Sequence, residues 1–208
     1  MIGDIGCVSP KLTESFAERA ARDGLTVVIG TGSVAAVNLG GLLHELDRVE
    51  PGPTVVVLTA AARQFVTPAA LGHLGRCPVL TGETVGPSLG PLHVWLTDVA
   101  RRLLVYPASA GFLARAAAGT ASDLASTTLL CATGVPTLMV PSMHPRMWAG
   151  ALVQRNVRRL REAGAHVLDP CGGAAPPVAQ VAAALIALSA PETDRPSGVN
   201  HPRREPQR

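Results

Sequence analysis

The chain has 208 residues, of which 47% are hydrophobic and 16% are charged, with a net charge of +3. This length suffices for one domain with a sizeable core, and no apolar run reaches the ~18 residues that a membrane span requires. The modest charge argues against nucleic acid as a partner, and the low charged fraction predicts that other subunits cover part of the surface.

The start of the chain is expected to contribute little to the fold. We expect residues 1–11 to form a loose leader, and they lack the basic flank and apolar core of a signal peptide. We therefore expect a cytoplasmic protein. A helix is predicted from Thr13 to Ala20, with Thr13 as its N-cap and Gly24 as its stop.

A glycine-rich turn follows the first predicted strand, residues 25–29. Glycine lets the backbone approach a phosphate, and the free N–H groups of a helix start point at it, so this turn is a candidate anion cradle. A plain strand-to-helix turn would show the same pattern, because the third Gly of the dinucleotide motif and a Walker lysine are absent. The candidate phosphate-binding residues are Gly30, Thr31, Gly32, Ser33 and Val34.

The next segments supply a second strand and a histidine. After a helix that runs through Leu46, residues 54–58 form a predicted strand that ends at Thr59. Residues 75–91 are rich in Gly and Pro and are predicted to form a long loop. His93 follows among apolar neighbours, a setting more typical of a satisfied core histidine than of a catalytic one.

Two further apolar runs each end at a proline that small and polar residues follow. They are residues 103–106 before Pro107, and residues 137–140 before Pro141. A buried parallel strand has this pattern where it reaches the carboxyl edge of its sheet. Because ligands of open α/β sheets bind at that edge, the loops after both strands are candidate binding segments.

The alternation of strands and helices predicts the fold. It favours a single α/β domain over residues 12–190, Rossmann-like (flavodoxin-like), with a parallel sheet and helices on both faces. Residues 191–208 have the composition of a disordered tail. The remaining predicted elements are helices at 112–119, 123–130, 148–162 and 178–188 and a strand at 165–168.

The four cysteines, at positions 7, 77, 131 and 171, are too scattered for a disulfide framework, and no spacing indicates zinc. No metal is therefore expected, and Cys77 and Cys131 are predicted to be small core residues. An arginine group is predicted to be a solvated helix face rather than a phosphate patch. It comprises Arg155, Arg158, Arg159 and Arg161.

Taken together, these blocks resemble the homo-oligomeric flavin-containing cysteine decarboxylases, over roughly residues 25–170. The turn after residue 29 resembles the family's first flavin-phosphate loop, and Thr59 to Phe65 resembles its second flavin loop. Residues 92–96 resemble its His-x-x-Leu block, and residues 107–110 its Pro-Ala-Ser/Thr-Ala flavin loop. Residues 141–148 resemble the Pro-x-Met-Asn-x-x-Met-Trp substrate motif.

The resemblance implies roles for these residues. His93 becomes the catalytic base at a flavin, which is FMN or alternatively FAD, and the assembly is a trimer or a dodecamer of four trimers. The implied flavin-binding residues are those of the first turn together with Thr59, Phe65, Pro107, Ala108, Ser109 and Ala110. The implied substrate-binding residues are Pro141, Ser142, Met143, His144, Met147 and Trp148.

The sequence departs from the family pattern at three places. His144 stands where the family has Asn, which is thought to hold the substrate carboxylate, and Gly111 stands where many relatives have Asn or Asp. Cys171 lies between Pro170 and Gly172 rather than in the Ala-Cys-Gly-Asp context of phosphopantothenoylcysteine decarboxylases. We therefore expect Cys171 to be incidental.

These features favour oxidative decarboxylation of the C-terminal cysteine of a ribosomally made precursor peptide. By resemblance, the flavin removes two electrons, a thioaldehyde-like intermediate loses carbon dioxide, and the product is an enethiol for aminovinyl-cysteine ring formation. One alternative is a phosphopantothenoylcysteine decarboxylase of coenzyme A biosynthesis, and another is a non-catalytic flavin-binding regulatory subunit. A prenyl-flavin synthase is less favoured because its loop pattern is absent.

Overall fold

In a computed structural model that describes residues 12–82, 91–170 and 172–188, the chain forms a parallel six-stranded sheet with strand order β3-β2-β1-β4-β5-β6. The strands are β1 Leu25–Gly30, β2 Thr54–Leu58, β3 Val79–Leu80, β4 Ala100–Ala108, β5 Thr137–Pro141 and β6 His166–Val167. The helices are α1 Glu14–Asp23, α2 Leu39–Val49, α3 Pro68–Gly75, α4 Leu92–Asp98, α5 Ala110–Ala117, α6 Leu124–Cys131, α7 Pro145–Trp148, α8 Ala151–Glu162 and α9 Val178–Ala187. Short 3-10 helices lie at Val34–Asn38 and Ala62–Gln64.

Helices cover the sheet on both faces, as predicted. Every residue of β1 and β5 is buried, which explains why these strands are continuous apolar runs rather than alternating ones. One core cluster joins the sheet to α1, α4, α5, α6 and α8, and the other joins it to α2, α3 and α9. The predicted fold class is confirmed.

The strand order reverses between β1 and β4. The chain moves outward from β1 through β2 to β3, returns to β4 beside β1, and then moves outward through β5 to β6. This is the Rossmann order, and ligands bind such sheets in the crevice at the carboxyl ends of the strands where the order reverses. The loops after β1 and β4 border that crevice.

Several predicted boundaries differ from the structure. Residues 75–91 are not one loop, because β3 lies within them; two residues are too few to produce a periodic pattern. The helix predicted from Trp148 to Glu162 is divided into α7 and α8, with Gly150 in extended conformation as the N-cap of α8. The helix predicted at 112–119 begins two residues earlier, where Ser109 caps α5.

The cysteine and arginine predictions had different outcomes. Cys77 is buried as predicted, and burial raises the pKa of its thiol to about 12, so it is unreactive. The prediction for Cys131 is wrong, because this residue ends α6 on its exposed side. The predicted arginine face is exposed along α8. The predicted leader, the predicted tail and Cys171 lie outside the described residues.

Among the described residues, no helix is long and apolar enough to cross a membrane.

A buried arginine stabilises the opposite end of the sheet. Arg102 is only 1% exposed, and its guanidinium donates to the Glu50 carboxylate at 2.8 Å and to the Thr26 hydroxyl at 3.1 Å. Arg101 also donates to Glu50. Partial burial by itself raises the pKa of Glu50, but the hydrogen bonds and charges of the two arginines lower it below its ordinary value of 4.5.

Replacing Glu50 by Gln is expected to lower the free energy of unfolding by about 2 kcal/mol near neutral pH. The cost is less than for a fully buried pair because a third of the Glu50 side chain is exposed. Because the folded-state pKa of Glu50 lies below the unfolded-state value, its contribution is present above 4.5 and lost as the pH falls through the folded-state value. Urea unfolding at neutral and at acidic pH measures this.

The control is Glu45→Gln, which removes a pair between neighbours on α2 whose arginine, Arg48, is 61% exposed, and it should change stability much less. If Glu50→Gln lowered the free energy of unfolding as much at acidic pH as at neutral pH, this result would contradict the assignment of the effect to the Glu50 charge.

Candidate functional site

The loop after β1 forms the floor of the crevice. Gly30 is the last residue of β1, and the buried Thr31 follows it. The Thr31 hydroxyl donates to the Pro107 carbonyl oxygen and accepts from the Ser109 N–H at 2.9 Å. This one side chain therefore ties together the two loops that border the point where the strand order reverses.

Gly32 allows the loop after β1 to lie directly on the loop after β2. A Cβ atom at Gly32 would be 2.5 Å from the Cβ of Ala61, closer than two such atoms can approach. Ser33 and Val34 follow, and Val34 is 68% exposed at the start of the 3-10 helix. The close contact between the two loops requires glycine at position 32.

The loop after β2 is held by Thr59, which is buried. Its N–H and its hydroxyl both donate to the Gly30 carbonyl oxygen, at 3.0 and 3.2 Å, and its hydroxyl accepts from the Ala62 N–H at 3.3 Å. The hydroxyl is thus committed to the backbone, and Thr59 positions the loop. Phe65, just after the second 3-10 helix, is 41% exposed.

The loop after β4 leads into α5. Pro107 and Ala108 end the strand, and the Ser109 hydroxyl caps the helix that begins with Ala110 by accepting from the Phe112 N–H. The Ala108 carbonyl oxygen in turn accepts from the Ser142 N–H at 3.1 Å, which joins this loop to the one after β5.

The loop after β5 carries the predicted substrate motif. Pro141 ends the strand, and the buried Ser142 accepts a hydrogen bond from the Ser33 hydroxyl at 3.0 Å. His144 caps α7. Met147 is 49% exposed, and Trp148 packs partly against the core.

An open cleft of about 620 Å³ lies between the first and last of these loops. Its polar side chains are those of Ser33, Asn38, Ser142 and His144, and no described residue that lines it is acidic. A pocket lined by hydrogen-bond donors without carboxylates suits an anionic ligand. The lining residues are Ser33, Val34, Ala35, Val37, Asn38, Ser142, Met143, His144, Pro145, Gly172, Gly173, Ala174 and Ala175.

The segment 172–175 was not predicted to belong to the site. The sequence indicated only a turn there, although its Gly-Gly pair was a usable signal for close backbone approach. The Gly173 carbonyl oxygen accepts from the Met143 N–H at 2.9 Å, so this segment fixes the backbone next to His144. Gly173 has φ +89°, and a Cβ on it would be 2.5 Å from the Met143 carbonyl oxygen.

Replacing Gly173 by Ala should displace the loop around His144 without unfolding the protein. The added methyl would meet backbone atoms, which cannot rotate aside, and the positive φ disfavours any residue with a Cβ. We expect about 1–3 kcal/mol of destabilisation, which thermal unfolding measures.

Gly172→Ala is the matched control, because its φ is also positive, at +60°, but nothing lies within 4 Å of its Cβ position. Equal effects of the two substitutions would show that backbone strain, and not contact with the Met143 loop, dominates.

His93 lies apart from the cleft. It is half-buried on α4, which packs through Leu92 and Leu96 into the core cluster that also contains α5 and α8. The 3-10 helix that borders the cleft leads into α2, which belongs to the other cluster. Phe65, Ser109 and Ala110 also lie outside the cleft lining. The structure therefore places the predicted loop residues at the ends of parallel strands, but it does not bring all of the predicted site residues into one pocket.

The residues at this edge fit a flavin phosphate. Ser33 stands at the start of the 3-10 helix but makes no capping bond, since its hydroxyl turns to Ser142. The first N–H groups of that helix, on Val34 and Ala35, therefore remain available beside the cleft. Within the described ranges no group of His, Cys, Asp and Glu could hold a metal ion.

The fold is a Rossmann-like domain with a cleft beside the loops where the strand order reverses. A profile of the Flavoprotein family matches residues 16–189. The structure is similar to that of the FMN-dependent cysteine decarboxylase SpaF, with a TM-score of 0.72 and 31% identity over 82% of this chain and 99% of that one. TvaF, an FMN-dependent cysteine decarboxylase from thioviridamide biosynthesis, gives 0.70 and 30% over 80% and 98%. The chain belongs to the Flavoprotein family of flavin-containing cysteine decarboxylases.

The chain is also similar to longer proteins of coenzyme A biosynthesis. The coenzyme A biosynthesis bifunctional protein CoaBC of Haemophilus influenzae is 34% identical over 159 residues, which are 73% of this chain and 38% of that protein. CoaBC of Mycobacterium tuberculosis (strain H37Rv) is 38% identical over 148 residues, 71% of this chain and 35% of that protein. The chain thus spans little more than a third of the length of these relatives.

Proposed function

We propose that this protein is an FMN-dependent enzyme that oxidatively decarboxylates the C-terminal cysteine of a ribosomally made precursor peptide. The observation that carries the proposal is the similarity, at 30–31% identity, to two FMN-dependent cysteine decarboxylases. The open, donor-lined cleft beside the glycine-rich loop supports it, because both the flavin phosphate and the substrate carboxylate are anions.

In this proposal the loop residues bind FMN. The N–H groups of Val34 and Ala35 hold the phosphate, and Thr31 and Thr59 keep the loops in place through their backbone hydrogen bonds. Ser109, Ala110 and Phe65 contact the flavin ring. When bound, FMN would supply the two-electron oxidation of the cysteine, with oxygen as the final electron acceptor.

The remaining residues act on the substrate. His93 accepts a proton from the cysteine, a role in which histidine is the side chain that proteins use most often. Ser142, Met143 and His144 bind the cysteine end of the peptide, and Met147 and Trp148 contact the residues before it.

We propose a homo-oligomer, a trimer or a dodecamer of four trimers, with flavin between subunits. Large apolar side chains on the surface support this, notably Val34 (68% exposed), Leu152 (67%) and Val37 (57%). The separation of His93 from the cleft within one chain also supports it, because a neighbouring subunit can supply the missing histidine.

Phosphopantothenoylcysteine decarboxylation is the second candidate, favoured by the 34–39% identity to CoaBC proteins. The two differ in their redox balance. The peptide reaction removes carbon dioxide and two hydrogens, whereas the coenzyme A reaction removes carbon dioxide alone, with the flavin returned to its starting state.

The test is mass spectrometry of FMN-loaded protein with peptides that end in cysteine, with serine-ending peptides as controls. A mass loss equal to carbon dioxide plus two hydrogens from cysteine peptides alone supports the proposal. If phosphopantothenoylcysteine loses carbon dioxide and the peptides stay unchanged, the second candidate, decarboxylation in coenzyme A biosynthesis, is the function. No reaction with either overturns both and leaves a non-catalytic flavin-binding regulatory subunit.

A further inference from the structure

The outer side of α8 concentrates positive charge. Arg155, Arg158 and Arg159 are all exposed, and their spacing of three and four residues places them side by side on one face of the helix. We call these three residues the α8 basic face. Within the part of the chain that the structure describes, none of the three has an ion pair.

Neighbouring carboxylates do not neutralise this face. Exposed arginines elsewhere have acidic partners, as Arg48 has in Glu45 at 2.7 Å, and on α8 itself Arg161 pairs with Asp169 at 2.9 Å. The elements that pack against α8 are chiefly α5, α7 and β6, and none of these three contains an acidic residue. Glu162, the last residue of α8, is the one acidic residue of the helix.

The α8 basic face lies near the cleft. Because β5 and β6 are parallel, α8, which connects them, runs from the carboxyl edge of the sheet back toward the amino edge. It begins shortly after α7, whose first residue, Pro145, lines the cleft. At 1.5 Å per residue, Arg155 and Arg159 lie about 6 and 12 Å along the axis from the start of α8.

We propose that the α8 basic face binds an acidic segment of the precursor peptide upstream of its C-terminal cysteine, an inference that rests on the proposed function. That function brings the residues before the cysteine to Met147 and Trp148, so the preceding part of the peptide meets the start of α8 next. Since an extended peptide advances about 3.3 Å per residue, the acidic segment lies roughly three to seven residues before the cysteine.

The chemistry of the face favours a peptide over a nucleic acid. Guanidinium groups form bidentate pairs with carboxylates, and three of them within about 6 Å of helix length match a short acidic segment. A nucleic-acid site draws on a strongly basic domain, whereas the net charge of this chain is only +3. Because charged residues are depleted at the cores of subunit interfaces, we expect the proposed homo-oligomer to leave this face open.

The test uses unreactive peptides that end in serine. One peptide carries three aspartates in the predicted segment, and its twin carries asparagines there. The wild type should bind the aspartate peptide about tenfold more tightly at low salt, the combined effect of three exposed ion pairs that are weak individually. This preference should fade as salt is added.

The variant Arg155→Gln/Arg158→Gln/Arg159→Gln should bind both peptides as the wild type binds the asparagine twin, and binding of that twin also shows that the variant is folded. The matched control is Arg19→Gln/Arg22→Gln/Arg48→Gln, which removes the same charge from exposed arginines on α1 and α2. This control should keep the aspartate preference.

Three results would overturn the inference. The first is an undiminished aspartate preference in the α8 variant, and the second is an equal loss in the control, which would assign the attraction to net charge alone. The third is a single-stranded DNA oligonucleotide of equal charge that displaces the aspartate peptide more strongly than the same peptide does, which would assign the face to nucleic acid.

The proposed function and this inference fail separately. If cysteine peptides are decarboxylated but aspartates bring no preference, the proposed function stands and the role of the α8 basic face falls. If the aspartate preference is as expected but no cysteine peptide reacts, the proposed function falls while the α8 basic face remains a site for acidic peptides.

Discussion

Replacing His93 by Gln should reduce peptide decarboxylation by about 10²–10⁴-fold, the usual contribution of a general base. FMN should remain bound, because the loops that are proposed to hold it are built on other elements. Gln fills nearly the same space and keeps a hydrogen-bonding group, so α4 should retain its packing through Leu92 and Leu96. Single-turnover mass spectrometry of the flavin-loaded variant measures the loss.

The control is His73→Gln, which changes an exposed histidine on α3. This variant should match the wild type in rate and flavin content. If His93→Gln retained a rate within about tenfold of the wild type, a loss below that of a general base, His93 would be a satisfied core histidine and the base would lie elsewhere.

Replacing Thr31 by Val should weaken both the fold and flavin binding. The hydroxyl is 1% exposed and satisfies the Pro107 carbonyl oxygen and the Ser109 N–H, so its removal leaves two backbone groups without partners. We expect the free energy of unfolding to fall by about 2–4 kcal/mol, because each unsatisfied buried group costs about 1–3 kcal/mol. Flavin affinity should fall as well, since the two loops are no longer tied together.

Urea unfolding of the flavin-free protein and flavin titration separate the two effects. Thr31→Ser is the matched control, because it keeps the hydroxyl and should retain most of the stability and affinity. If Thr31→Ser were as impaired as Thr31→Val, the methyl group and its packing, rather than the two hydrogen bonds, would hold the crevice floor.

The sequence was most informative where one strong pattern determined the outcome. The continuous apolar runs of β1, β4 and β5 could be assigned as buried parallel strands, and the prolines at 107 and 141 marked the carboxyl edge correctly. The capping residue Thr13 shows why some helix starts can be predicted: a side-chain oxygen satisfies a backbone N–H that the helix leaves free.

The sequence was less informative where tertiary contacts determine the local structure. A strand as short as β3 has no period and exists because its backbone pairs with β2. The break between α7 and α8 follows from the extended conformation of Gly150, which an isolated glycine in a helical pattern does not announce. The contribution of Gly173 depends on its contact with Met143, thirty residues earlier, and no local pattern encodes that contact.

In the candidate site, too, the sequence predicted some features, while others depend on tertiary contacts. The resemblance pointed to the candidate loops, but it did not show that the Thr31 and Thr59 hydroxyls donate to backbone carbonyl oxygens. Because of these bonds, the two residues hold the loops in position. Nor could the resemblance reveal the Nδ1 cap of His144, which depends on the rotation of one side chain.

The most direct test is an anaerobic mixing experiment in which FMN-loaded protein meets a stoichiometric peptide that ends in cysteine. The account predicts that the visible flavin absorbance bleaches as carbon dioxide is released, and that oxygen restores the colour. A flavin that stays oxidised with every cysteine peptide, while His93→Gln behaves like the wild type, would contradict it.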